Sequence, residues 1–225
     1  IESRELSSIN NEQSLFFDTK YVYTFSSGNF NSIDPYTWNG GDDDFFWSTN
    51  YQGADSSIRT FFVTNFVDSA GSPMRYTQDG ATFTNFAPAL DGAGTLLLEA
   101  RCLIPYYGFM LAFNTIEGPA YAAAAPNFFN RVRFSQQGNP LQADAWRTDI
   151  FGKGGFADAP TSEQIVSVIF FKNTLIVFFE RSTWQLRYVG NYGTPFLFER
   201  ISSDFGSEST FSPTLFDAGV LAIGD

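Results

Sequence analysis

Short apolar runs separated by polar turn residues make up most of the chain. Phe, Tyr, Val, Ile, Leu and Thr fill the runs, and Gly, Asn, Asp, Ser and Pro fill the gaps, which is the pattern of β-strands joined by tight turns. Helical periodicity is nearly absent, and its one trace, at residues 121–125 (YAAAA), is too short for a stable helix. The pattern predicts an all-β, antiparallel protein. The clearest predicted strands are residues 21–25 (YVYTF), 45–51 (FFWSTNY), 59–66 (RTFFVTNF), 109–114 (FMLAFN), 165–171 (IVSVIFF), 175–179 (LIVFF), 184–188 (WQLRY) and 195–201 (PFLFERI).

Two short patterns recur along the chain. One aligns residues 104–113 without gaps on residues 169–178, and residues 216–224 are similar to a third copy. The unequal offsets are explained if residues 118–127 are a loop insertion. Repetition at this spacing indicates that one supersecondary unit is used several times. The other pattern is an apolar–Arg–aromatic triplet, found at Met74-Arg75-Tyr76, Val132-Arg133-Phe134 and Leu186-Arg187-Tyr188.

Residues 165–201 divide most clearly into four strands with tight turns between them. Four short antiparallel strands in one unit are typical of a β-propeller blade, and such a sheet buries both faces only against neighbouring sheets. We expect about three full blades, with partial blades before Asn39 and at the C-terminal end. We therefore divide the chain into an N-terminal segment with a partial blade (residues 1–55) and a region of blades (residues 56–225), the last one incomplete. A β-sandwich is the alternative fold.

Composition agrees with aromatic sheet faces and narrows the possible chemistry. The chain has 27 Phe among 225 residues, and flat rings fill the space between twisted sheets. It has no His and a single Cys, Cys102, which excludes His-based catalysis, His metal sites, internal disulfides and Cys-rich zinc sites. A net charge of −11 argues against ordinary binding to a phosphate backbone, which needs Lys and Arg. The chain has no long uninterrupted apolar stretch, so we expect no membrane span.

Three local patterns invite a chemical interpretation, and each has a plainer structural one. Residues 40–44 (GGDDD) offer carboxylates for a calcium loop but lack the alternating spacing of an EF-hand, which favours a solvated turn. Lys153 lies in a glycine-rich stretch, residues 151–155 (FGKGG), that lacks the Walker spacing, which favours a flexible loop between blades. Cys102 is predicted to be a buried, small apolar group. We assign no catalytic, cofactor-binding or metal-binding residue.

The repeated arginines and the tryptophans are the remaining candidates. Arg75, Arg133 and Arg187 either form a ligand-binding ring or, as their apolar flanks favour, stack on neighbouring rings or pair with an acid of the next blade. Trp184 lies in the best-defined unit, and we take it and the three arginines as structural repeat positions. Trp38, Trp47, Trp146 and Trp184 suit either a sugar-stacking platform or, as we favour, the blade core. The carboxylates available for glycoside hydrolysis are Asp34, Asp79, Asp144, Asp149, Asp158, Asp204 and Asp217, among which no pair stands out.

The stretch at residues 175–201 (LIVFFERSTWQLRYVGNYGTPFLFERI) resembles blades of the propeller-bearing tail proteins of short-tailed bacteriophages, the nozzle or muzzle components at the end of the tail. Residues 132–140 (VRFSQQGNP) are similar to another of their blade turns, and residues 207–225 to the start of a following blade. The resemblance covers roughly residues 56–225 and rests on the pattern of the repeats.

The resemblance implies a non-enzymatic virion structural protein of the tail. Such a protein would form a homo-oligomeric ring with other tail proteins around it, line or close the channel, and help to release the genome. DNA would pass through without sequence-specific binding, because an acidic wall repels its phosphates. The alternative function is a carbohydrate- or receptor-binding propeller that uses exposed Trp and Tyr, and a carboxylate glycosidase is the third.

Overall fold

The fold is all-β and antiparallel, which confirms the prediction from the sequence. A computed structural model describes residues 2–6, 11–41, 44–53, 59–67, 72–121 and 125–224. Within these ranges every regular element is a strand, and no helix is present that is long and apolar enough to cross a membrane. Each of the eight apolar runs singled out above coincides with a strand, to within one residue at the ends of the run.

The strands form four consecutive four-stranded sheets and one hairpin, each a simple meander in chain order. Sheet 1 contains β1 (Glu2–Leu6), β2 (Asn11–Phe17), β3 (Val22–Ser26) and β4 (Asn29–Ser32). Sheet 2 contains β5 (Phe46–Gln52), β6 (Arg59–Asn65), β7 (Met74–Thr77) and β8 (Thr84–Phe86). Sheet 3 contains β9 (Leu96–Tyr106), β10 (Phe109–Gly118), β11 (Asn127–Phe134) and β12 (Gly155–Asp158). Sheet 4 contains β13 (Ile165–Phe171), β14 (Thr174–Phe179), β15 (Thr183–Tyr188) and β16 (Phe196–Ser202), and the C-terminal hairpin contains β17 (Thr214–Phe216) and β18 (Gly219–Leu221).

The aligned repeat corresponds to the first hairpin of successive units. Residues 104–113 form the β9–β10 turn region of sheet 3, and residues 169–178 form the β13–β14 turn region of sheet 4. Tyr107 and Lys172 hold equivalent turn positions, and both have positive φ, 50° and 55°. Two-residue hairpin turns require this left-handed conformation because its twist matches that of the strands. The third copy, residues 216–224, covers most of the C-terminal hairpin.

Three apolar clusters lie between the sheets, one for each neighbouring pair. The cluster between sheets 1 and 2 contains Leu15, Val22, Trp38, Phe61, Val63 and Phe83. The cluster between sheets 2 and 3 includes Tyr51, Phe62, Met74, Leu103, Met110, Ala112 and Trp146. The cluster between sheets 3 and 4 includes Phe109, Leu111, Phe113, Val132, Val177, Phe179, Trp184 and Phe196. The sheets therefore bury their faces against one another, as the repeated units predict.

Alternation along β10 explains why the sequence shows unbroken apolar runs. Met110 and Ala112 face sheet 2, whereas Leu111 and Phe113 face sheet 4. A strand that is buried on both faces has no polar side to reveal its period of two. The serial arrangement is that of propeller-like blades, although any neighbouring pair of sheets also has the face-to-face packing of a β-sandwich.

Three boundaries drawn from the sequence can now be placed. The division after residue 55 falls between β5 and β6 of sheet 2, and sheet 1 already has four strands before Ile33. The expected insertion at residues 118–127 is the connection between β10 and β11, and residues 122–124 of the YAAAA stretch lie outside the described residues. The Lys153 loop joins β11 to β12 within sheet 3, so its placement between two blades was wrong.

Candidate functional site

The three repeated arginines share a strand position but not a face. Arg75, Arg133 and Arg187 lie on β7, β11 and β15, the third strand of three successive sheets. Arg75 pairs in register with Val63, which faces sheet 1, and Arg133 pairs with Ala112, which faces sheet 2. These two arginines therefore point toward the preceding sheet.

Arg187 points the other way, toward the face of sheet 4 that is turned from sheet 3. Its neighbour Leu186 belongs to the cluster between sheets 3 and 4, and side chains alternate along a strand. When the first hairpins of sheets 3 and 4 are aligned, Val177 corresponds to Ala112, and the residue opposite Val177 is Trp184. Trp184 thus occupies in sheet 4 the register position that Arg133 occupies in sheet 3.

Arg75 is buried in a site between sheets 1 and 2. Its Nε lies 2.9 Å from Oδ2 of Asp34, and its Nη2 donates to Oδ1 of the same carboxylate at 3.0 Å. The guanidinium also donates to the carbonyl of Phe83 and to Asn85, and it lies 4.6 Å from the centre of the Tyr36 ring. Burial raises the pKa of Asp34 despite the opposing effects of the Tyr36 backbone and Arg75. The arrangement is a structural ion pair between the linker after sheet 1 and the third strand of sheet 2.

Arg133 belongs to a larger buried network within sheet 3. Its Nε and Nη2 donate to the two oxygens of Glu117, at 2.8 and 2.5 Å, and Arg131 donates to the same carboxylate at 3.3 Å. Arg131 also makes a bidentate pair with Asp158, at 2.7 and 2.9 Å. Burial alone would lower the pKa of Arg131, but Asp158 and Glu117 raise it above its ordinary value. Both guanidinium groups lie over the Phe156 ring, at 4.0 and 4.8 Å.

Arg187 forms the weakest of these contacts. It pairs with Glu199 of β16 at 2.6 Å, but its side chain is 53% exposed and that of Glu199 is 38% exposed. The partner lies on the neighbouring strand of the same sheet. The three arginines therefore do not converge on a common ligand.

The tryptophans and Cys102 lie mainly in the core. Trp38, Trp146 and Trp184 are buried between sheets, and Trp47 is half-buried with its indole N–H donating to the Leu103 carbonyl at 2.6 Å. They do not form an exposed sugar platform. Cys102 is fully buried, and burial raises the pKa of its thiol to about 12, so it behaves as an apolar group.

Most of the candidate carboxylates lie in different parts of the fold, but Asp144 and Asp149 share Arg147, whose guanidinium lies 3.7 Å from Asp144. Backbone N–H groups of Thr82 and Ala81 lower the pKa of Asp79 to about 2 in the β7–β8 turn. Arg147 lowers the pKa of Asp149 to about 2 in the β11–β12 connection. An acid held ionised in this way is unsuited to be a general acid.

The GGDDD cluster is only partly described, because Asp42 and Asp43 lie outside the described residues. In its described part, Asp44 accepts a hydrogen bond from the Gly41 N–H at 2.9 Å, which closes a turn. Among the residues that the structure describes, no group of three or more His, Cys, Asp or Glu side chains is arranged to hold a metal ion.

A cleft that was not predicted from the sequence lies between sheets 3 and 4. It has a volume of about 520 Å³ and is bounded by the β11–β12 connection and the β15–β16 turn. Phe109, Phe134 and Tyr188 contribute to its apolar lining. The rings of Phe151 and Tyr192 stack at its rim, with centroids 6.0 Å apart and planes 19° apart. Both lie in loops, where an isolated aromatic residue gives no periodic signal.

One cation is fixed beside these rings. Lys153 Nζ donates to Oε1 of Gln136 at 2.6 Å, and Gln136 is held in turn by Gln142. Gly154 and Gly155 follow with no room for a side chain. A Cβ on Gly154 would lie 2.5 Å from the Trp146 backbone, and one on Gly155 would lie 2.4 Å from the Phe134 ring. The Gly154–Gly155 end of the FGKGG stretch is therefore a tightly packed wall of this cleft, whereas Phe151 and Gly152 project into solvent.

Comparisons with known proteins do not assign the chain to a family. No protein-family model and no curated protein matches it.

Proposed function

We propose that this protein is a structural component of a bacteriophage tail, in which serial propeller-like sheets form part of the ring or channel through which the genome is ejected. The observation that carries the proposal is the run of consecutive four-stranded sheets with an apolar cluster between each neighbouring pair. This architecture agrees with the blade pattern on which the resemblance of residues 56–225 rests. Its role is mechanical and involves no cofactor.

Exposed apolar side chains support assembly with other subunits or tail proteins. In the C-terminal hairpin, Leu215, Phe216 and Leu221 are each at least half exposed. Phe205 and Phe211, in the segment before the hairpin, are also exposed. Phe216 and Leu221 lie on one face of the hairpin, and exposed apolar side chains grouped on a face mark a site of protein contact more often than free surface. Among the residues that the structure describes, β17 and β18 pair only with each other, so their outer edges are open to addition of further strands.

The charge balance supports a channel for DNA. The 24 acidic residues exceed the 13 basic ones. Three of the basic residues are paired with carboxylates inside the fold: Arg75 with Asp34, and both Arg131 and Arg133 with Glu117. A surface with excess negative charge repels phosphates, so duplex DNA would slide past without being held.

The test is the mass and image of the native assembly, measured by light scattering and negative-stain electron microscopy. We expect a symmetric multi-copy ring. The double substitution Phe216→Asp with Leu221→Asp, on one face of the hairpin, should reduce the mass. A matched control, Phe151→Asp with Tyr192→Asp, places the same charges on a pair of exposed aromatic residues elsewhere and should leave the ring intact. A monomer at all concentrations, with antibodies that fail to label phage tails, would contradict the proposal.

A further inference from the structure

We propose that the cleft between sheets 3 and 4 binds a saccharide that carries a carboxylate, with Phe151 and Tyr192 as the stacking platform and Lys153 as the carboxylate-binding group. The proposal does not rest on the tail assignment. It concerns a site that a purely mechanical role leaves unused.

The two rim rings are exposed to an extent that packing does not require. Phe151 is 86% exposed and Tyr192 is 85% exposed, although both lie beside a cleft with an apolar floor. Their planes are nearly parallel, and a centroid distance of 6.0 Å leaves no room for a ligand between them. Because each ring is at least 85% exposed, the stacked pair leaves aromatic ring faces open to solvent beside the cleft. A pyranose ring has one face of C–H groups that stacks well on such a surface, while its hydroxyls point outward.

The remaining lining supplies polar groups suited to hydroxyls. Gln137, Asn191 and Thr148 lie around the cleft, and amide and hydroxyl side chains both donate and accept hydrogen bonds. Gln137 is positioned by a hydrogen bond from its amide to the Tyr107 carbonyl, at 2.9 Å. An entirely apolar ligand would leave such groups without partners, which is costly. The mixture of a few polar groups and aromatic rings therefore favours a saccharide over a lipid tail.

Charge distinguishes an acidic sugar from a neutral or cationic one. Lys153 is the only charged residue among the described residues that line this cleft. Its bond to Gln136 uses one of the three ammonium protons and leaves two for a ligand. A carboxylate would form charge-assisted hydrogen bonds there, about twice as strong as neutral ones. In a chain of net charge −11, a cleft whose described lining has a lysine and no carboxylate favours the approach of an anionic ligand.

The loops that carry these groups are held in defined shapes. Gly152 has φ of 77° in one loop, and Gly190 and Gly193 have φ of 71° and 96° in the other. Side chains at these positions would be strained, so the turns depend on glycine.

The experiment measures binding of two tetrasaccharides by ligand-observed NMR and calorimetry. One alternates glucuronic acid with N-acetylglucosamine, and the other is its carboxyl-reduced, neutral form. The unmodified protein should bind the acidic form about tenfold more tightly than the neutral form. Phe151→Ala and Tyr192→Ala should each weaken binding of both about five- to tenfold. Lys153→Gln should remove only the preference for the acidic form.

Two controls separate the site from general effects. Phe205→Ala removes an exposed aromatic ring that does not line the cleft, and Lys20→Gln removes an exposed cation elsewhere; both should bind as the unmodified protein does. Circular dichroism verifies that each variant is folded. Failure of both tetrasaccharides to bind at millimolar concentration overturns the proposal. Equal binding by the Phe151 and Tyr192 variants, or a preference for the acid that survives Lys153→Gln, also overturns it. None of these outcomes bears on ring formation.

Discussion

Arg133 and Arg187 occupy the same strand of two neighbouring sheets and the same triplet in the sequence, yet their surroundings differ. Arg133 is buried, shares Glu117 with Arg131 and lies against Phe156. Arg187 is mostly exposed and meets a partly exposed Glu199. The difference follows from the alternation of side chains along a strand, in which residues an odd number of positions apart point to opposite faces. Arg133 points toward the preceding sheet, whereas Arg187 lies three residues beyond the equivalent position and so points away from it.

The comparison teaches that a repeated motif in a β-protein identifies a strand more securely than a face. A shift of an odd number of residues keeps the strand but reverses the side chain. In sheet 4 the position facing the preceding sheet is filled by Trp184, over which Arg200 lies at 5.7 Å. At this register position, therefore, sheet 3 has a guanidinium group and sheet 4 has an aromatic ring.

The largest effect should come from the residue that replaces arginine in sheet 4. Trp184→Ala removes a buried indole from the cluster between sheets 3 and 4, and we expect a loss of about 4 kcal/mol in the free energy of unfolding. Urea denaturation measures it. The variant Trp184→Phe keeps a ring and should lose less than half as much. If Trp184→Ala costs no more than an exposed substitution, the equivalence with Arg133 is wrong.

Glu117→Gln should be the next most damaging change. The substitution keeps the shape but leaves Arg131 and Arg133 without a shared anion inside the fold, and we expect a loss of about 3 kcal/mol. The same substitution at Glu199 is the matched control, because that carboxylate is partly exposed, and it should cost below about 1 kcal/mol. Similar losses at the two positions in urea denaturation would show that burial does not separate the two sites.

Asp79 sharpens the comparison, since it is exposed but held by backbone groups rather than by an arginine. Asp79→Ala should cost about 1 kcal/mol near neutral pH, because two N–H groups and the Thr77 hydroxyl lose an acceptor. The folded-state pKa of about 2 lies below the ordinary value of 3.8, so ionised Asp79 stabilises the fold above about pH 4. That contribution is lost as the pH falls toward 2.

The stability difference between the unmodified protein and Asp79→Ala should therefore shrink as the pH falls from 5 to 2. Denaturation with urea at a series of pH values measures this difference and cancels the effects common to both proteins. Asp79→Asn is the control, because its amide oxygen keeps the turn without titrating. A difference that is constant with pH would mean that the charge of Asp79 plays no part.

The smallest effect should be that of Arg187→Ala. An exposed ion pair contributes little in water, and we expect a change below about 0.5 kcal/mol. When the salt concentration is raised, the difference in the free energy of unfolding between Arg187→Ala and the unmodified protein should stay the same within error. A loss comparable to that at Glu117 would restore Arg187 as a true structural equivalent of Arg133.

From dense apolar runs between turn residues the sequence predicts β5, β6, β10 and every strand of sheet 4. The sequence does not single out the other strands of sheets 2 and 3, of which β7, β8 and β12 have only three or four residues. It predicts sheet 1 poorly, since β1 (ESREL) and β4 (NFNS) are mostly polar and carry no alternation. The face of each arginine was not predictable either. A strand that is buried on both sides shows no alternation of polar and apolar residues from which the direction of a side chain could be inferred. The cleft depends on Phe151 and Tyr192, which lie 41 residues apart in loops of different sheets, and only the folded chain brings them together.

Because β10 is buried on both faces, this single strand stabilises two interfaces, one with sheet 2 and one with sheet 4. A substitution at Met110 or Ala112 should loosen the contact with the sheet before it, and one at Leu111 or Phe113 the contact with the sheet after it. Adjacent residues of β10 are thus constrained by contacts with different sheets. Mutations of adjacent residues on β10 should be nearly independent in their effects. Compensating pairs should instead join a residue of β10 to a residue of the sheet that it faces.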